Sequence, residues 1–190
     1  MIDNGSLLGM LRKVTAPLHK ALEDQLGVIK RLSSAADRRR LVERYYRMHA
    51  SADTALGPWL EAIDGLDHLM RRRTPLLVED LHALHLFVPE AAQIPKVEIV
   101  DRFEALGFLY VLEGSTLGGR MIHKALSARG CSLTGVGFLD PYGSSTGERW
   151  RSFLAVLERE GASDPDGVER GGLKGFAHAD ACLLQPEAVP

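Results

Sequence analysis

The feature that most constrains this chain is the period of its apolar residues. Almost everywhere they recur three and four positions apart, and no stretch alternates in the way a half-buried strand does. The spacing predicts an all-α bundle. Ser6 to Leu26 carries an inner stripe of Leu7, Leu8, Leu11, Leu18, Leu22 and Leu26, interrupted by Pro17. An interior proline costs about 3 kcal/mol, so the helix is expected to kink there or to restart with Thr15 as its N-cap. Further helices are expected over Ala36–Leu60, over Thr74–Leu86 with its Thr-Pro start, over Val97–Arg129, Arg149–Arg159 and Gly172–Leu184. Residues 87–97 read as a connection, and Gly130 to Gly147 as a turn-rich segment.

With 190 residues, 45% of them apolar and 25% charged, the chain fits one domain over 1–190, with 185–190 as a frayed tail. A net charge of −2 gives no global attraction for nucleic acid or for an anionic membrane. No run approaches a membrane span. The start, MIDNGSLLGML, has neither a basic leader nor a long apolar stretch. Cys131 and Cys182 are not arranged as a metal or redox motif, and a reducing, cytoplasmic setting suits them.

Four glycines, at 107, 114, 118 and 119, fall inside the strong helical pattern LGFLYVLEGSTLGGRMIHKAL. Each costs roughly 0.5–1 kcal/mol against alanine, so something requires bare backbone there. Close helix packing, or a kink, is one explanation. The other is a flat ligand lying on the helix: Gly114 and Gly118 are one turn apart with Ser115 beside them, and a bend at 118–119 would open space above the ligand. Spacing alone decides neither.

His19 lies at the edge of an apolar face, and a partly buried structural histidine is the plain reading. Glu23, one turn on, could accept from one ring nitrogen and leave the other for a metal. Arg12, two turns earlier, could meet a ligand carboxylate.

Together these two segments resemble the haem oxygenase family. The N-terminal pattern L-(K/R)-x-x-T-x-x-x-H-x-x-x-E is matched by Leu11, Arg12, Thr15, His19 and Glu23, and a GxxxGG-type motif by Gly114, Gly118 and Gly119. LYVLEGSTLGG is most similar to the bacterial, phytochrome-associated branch, and WRSF at 150–153 resembles the start of a late helix in bacterial members. The resemblance implies a haem oxygenase-like helical bundle. It implies oxidative cleavage of haem, as substrate and cofactor, to biliverdin with release of CO and ferrous iron. Dioxygen and electrons from an external ferredoxin or flavin reductase are consumed, and a bacteriophytochrome is an implied biliverdin acceptor.

In residue terms, the resemblance implies His19 as the axial ligand of iron and Glu23 as the group that orients it. Arg12 and Arg151 are implied propionate partners, Phe176 an edge contact, and Gly114, Gly118 and Gly119 the distal wall. Many members carry an aspartate directly after the first motif glycine. Here that position is Ser115, which can exchange hydrogen bonds but carries no charge, so the proton route on the distal side must differ.

Two other classes share such a fold. One is a non-catalytic haem carrier or sensor, which the loss of the aspartate keeps open. The other is a di-iron oxidase, which needs paired Glu-x-x-His sequences. Only Glu79–His82 has that form, so these two residues read as surface positions. His85 and His123 are isolated, and His49, His68 and His178 read as surface or core fillers. The runs Arg38–Arg40 and Arg71–Arg73 are solvated helix ends or a docking face for an acidic electron donor.

Overall fold

A computed structural model describes residues 6–184. Its helices are α1 (Leu7–Leu26), α2 (Val28–Ser33), α3 (Ala35–Leu60), α4 (Thr74–Ala83), α5 (Arg102–Ala128), α6 (Thr146–Gly161) and α7 (Pro165–Leu183). Single 3-10 turns lie at His68–Arg71, Ala91–Gln93, Gly137–Leu139 and Gly143–Ser145, and there is no strand among the described residues. The tail expected to fray, 185–190, lies outside them. None of the described helices is long and apolar enough to cross a membrane.

Helix α1 runs through Pro17 without a break, so no new helix starts there. A proline at 17 leaves the carbonyl of residue 13 without its helical donor, but Lys13 and Pro17 are both exposed, so water can satisfy that oxygen. Thr15 is no N-cap: it is buried and its hydroxyl donates to the Leu11 carbonyl at 2.6 Å. Ser6 caps α1 instead, accepting from the Gly9 amide. The helix stops at Gly27, whose φ of +53° suits glycine, and the chain restarts at once as α2.

Three starts differ from expectation, and the first is that of α6, at Thr146 instead of Arg149. α5 begins at Arg102, not Val97, because the Asp101 carboxylate accepts the amides of Phe103 and Glu104 (2.9 and 2.8 Å). α7 begins at Pro165, behind the capping carboxylate of Asp164, and runs through Gly167, Gly171 and Gly172.

Those glycines explain the architecture. A Cβ on Gly107 of α5 would overlap the Val168 carbonyl, one on Gly171 of α7 would overlap the Glu104 carbonyl, and one on Gly175 would press on Val111. The two helices therefore meet backbone to backbone. α1 rests on another side of α7, where Leu11 and Thr15 sit over Gly172. Helix α7 is thus the common bed of α1 and α5. Leu11, Leu106, Phe108, Phe153, Leu157 and Val168 fill the core between them without any exposure to solvent.

Candidate haem site

Both halves of the anticipated site flank one stretch of α7. The ring of His19 stands edge-on to Phe176, with centroids 6.0 Å apart. The next residue back, Gly175, meets Val111, less than one turn before Gly114. The His19 side chain is 57% exposed and its Nδ1 lies 3.6 Å from Glu23 Oε2, with Glu23 itself 65% exposed. Histidine and carboxylate are therefore paired at the surface. Arg12 is exposed on the same helix, and Phe176 is buried.

The four glycines of α5 divide into two kinds. Gly107 is demanded by the α7 backbone. Gly119 is buried with its would-be Cβ 2.5 Å from the Leu139 carbonyl, so the turn at 137–139 presses on the helix there. That turn is itself held by α4, where the Asp80 carboxylate accepts the amides of Gly137 and Phe138, each at 2.8 Å. Gly114 and Gly118 are different. A Cβ on Gly114 would make ordinary contact with the Trp150 ring at 3.7 Å, and one on Gly118 would meet nothing within 4 Å. No neighbour among the described residues needs either to be glycine. Close packing thus accounts for Gly107 and Gly119, and it leaves Gly114 and Gly118 bare toward open space. Leu117 and Met121 are exposed beside them, Met121 by 73%. The helix stays continuous through 118–119.

Ser115 is exposed, and its hydroxyl donates to the Leu112 carbonyl of its own helix at 2.7 Å. Arg151 is exposed on α6, one residue after Trp150, whose ring also lies 5.7 Å from that of Tyr110. Sequence reasoning missed Trp150 and Tyr110 as neighbours of the glycine strip.

It also missed what fixes the strip from behind. Glu113 is 1% exposed, as is its partner Arg71, whose Nη1 donates to Glu113 Oε2 at 2.5 Å. Arg73 Nη2 and the Tyr142 hydroxyl donate to the other carboxylate oxygen at 3.4 and 2.8 Å. Burial, reinforced by the adjacent acid, pushes the Tyr142 phenol up to about 12. Arg71 also donates to the Leu66 carbonyl and to Ser152. One buried acid thereby joins α5 to the 68–71 turn, to α6 and to the 142 loop. The available signal was an acid on the apolar stripe of α5, four residues after Leu109, since a buried carboxylate needs a buried cation.

The same burial corrects the reading of the arginine runs as solvated or docking faces for Arg38, Arg71 and Arg73, while Arg39, Arg40 and Arg72 are exposed. Arg71 and Arg73 serve Glu113, and Arg38 is buried with its guanidinium on the Leu32 and Thr134 carbonyls. Glu79 and His82 are exposed as expected, while His49, His68 and His178 are all buried. Among the described residues, no three of His, Cys, Asp or Glu cluster as metal ligands.

No family model matches the chain. A heme oxygenase of Xanthomonas campestris pv. campestris is 35% identical to it over 153 residues, which are 79% of this chain and 90% of the relative. The chain belongs to the haem oxygenase family. Its fold is that of the Neisseria meningitidis heme oxygenase solved with NO and CO bound: the TM-score is 0.74 over 97% of this chain and 96% of the other, at 16% identity. Family and fold make the protein a haem oxygenase, an all-α enzyme whose substrate is haem, in preference to a di-iron oxidase or a bare carrier.

Proposed function

We propose that haem is held between α1 and α5, with His19 as the protein ligand of iron, and is converted to biliverdin, CO and ferrous iron. One observation carries the placement: Gly114 and Gly118 remain glycine although nothing in the chain requires it, and at about 0.5–1 kcal/mol each that cost points to a ligand lying against the helix. Glu23 Oε2 lies 3.6 Å from Nδ1, and closing that gap to a hydrogen bond would orient the imidazole and leave Nε2 for the metal. Arg12 and Arg151, both exposed, are the cations for the two propionates. Phe176 packs at the base, against His19. Gly119 backs the wall by letting the 137–139 turn press close behind it.

Ser115 replaces the usual acid and is the catalytic side chain nearest this wall. Its one hydroxyl proton is donated to the Leu112 carbonyl, so it accepts hydrogen bonds from water and does not serve as a charged anchor. Bound haem supplies the oxidative chemistry, with dioxygen and with electrons from a ferredoxin or flavin reductase, while the protein orients and shields. The product would pass to an acceptor such as a bacteriophytochrome. A single domain over 1–190, working in the reducing cytoplasm with both cysteines as thiols, suits this role.

Haem titration of His19→Ala tests the ligand. The variant is expected to lose the absorbance of histidine-ligated haem and all turnover. Retention of both would refute the assignment. Chromatography of the product identifies the ring position opened.

A further inference from the structure

Beside the Glu113 cluster lies a second feature, lined by none of the residues proposed to hold haem. A pocket of about 260 Å³ opens at the surface, with Arg72, Arg73 and Arg149 around a Tyr142 wall and with Met70 and Leu76 as its apolar lining. No carboxylate lines it. Each arginine is held from outside. Arg73 is bonded to Glu113, while Arg72 and Arg149 lie 3.7 Å from Asp53 and Asp67, beyond good hydrogen-bond length. Much of their donor capacity is therefore unused, since a guanidinium offers five N–H groups. Four arginines (71, 72, 73 and 149) face three carboxylates (Asp53, Asp67 and Glu113), which leaves one positive charge uncompensated in this cluster.

The Tyr142 ring organises two of the cations, with Arg73 4.7 Å and Arg149 5.8 Å from its centroid. Ser145, also on the lining, makes no capping bond and so has a hydroxyl to offer. We propose that this pocket binds a small organic carboxylate. The free charge calls for a monovalent anionic group, the forked donors of Arg72 and Arg149 suit a planar carboxylate, and Met70 and Leu76 receive a short carbon chain. The volume excludes a tetrapyrrole and lies just below that of ordinary drug-sized sites. The proposal does not depend on where haem binds.

Calorimetric titration of the full chain with butyrate, at fixed ionic strength, tests it. Saturable binding in the millimolar range or tighter is expected, with neutral butyramide silent. Arg149→Gln and Arg72→Gln should each weaken binding at least tenfold with an unchanged far-UV spectrum, while Lys124→Gln, a surface cation on α5, leaves it as it was. If one arginine variant fails to fold, the other gives the answer. The proposal is overturned by no saturable binding through the millimolar range, by equal binding of butyramide, by binding that survives both arginine substitutions, or by inorganic phosphate binding more tightly than butyrate.

Discussion

Glycine at 118 and glycine at 107 have the same chemistry and opposite reasons for being there. A methyl group on Gly118 meets empty space, so Gly118→Ala should stabilise the ligand-free protein by roughly 0.5–1 kcal/mol through helix propensity. The same variant should bind haem less tightly, because the methyl stands where the ligand would lie. Thermal melts and an absorbance titration read the two effects separately. Gly107→Ala places its methyl on the Val168 carbonyl and should destabilise by at least about 1–3 kcal/mol whether or not haem is present. Equal effects from the two substitutions would remove the distinction on which the proposed wall depends.

Among elements, α5 is the one whose two faces do different work. One face meets α7 and the 137–139 turn; the other carries the bare strip. Between them, Glu113 is the electrostatic pin. Glu113→Ala should cost about 3–5 kcal/mol, since it strands Arg71 and Arg73 in the interior without their acid. Urea denaturation measures this, and an Arg71→Met, Glu113→Leu double variant should recover part of the loss. The periodic leucines made most helices legible in sequence, as did the pairing of His19 with Glu23. Three things were not legible, each for a physical reason. Helix α2 spans six residues, too few to show a period. The first turns of α7 look like loop because Gly167, Gly171 and Gly172 are read by propensity, whereas Gly167 and Gly171 are selected by contact with α5 and Gly172 by contact with α1. The burial of Arg38, Arg71 and Arg73 depends on acceptors 40 and more residues away or on carbonyls, which leave no local trace.

At the scale of the molecule, buried histidines set the acid limit. Burial holds His49 down at about 3 and lowers His68 and His178 as well, so all three are neutral inside the fold. In the unfolded chain they take up protons near 6.5. The unfolded state then binds more protons below that value, and linkage makes stability fall as pH drops from about 6.5 toward 3. Asp80, whose carboxyl is raised by burial, opposes this only in the carboxylate range. Urea midpoints measured from pH 8 to 4 should decline most steeply below 6.5, and a triple His49→Gln, His68→Gln, His178→Gln variant should flatten the curve.

The bed formed by α7 has a mechanical consequence. Helices α1 and α5 do not set their separation by touching each other; each is indexed to α7, one through Leu11 and Thr15, the other through a seam of backbone against backbone. A seam without side chains has no slack to slide on, so α7 acts as a calliper. In the proposed site, the width offered to a flat substrate would then be set by α7 and not by contact between the two jaws.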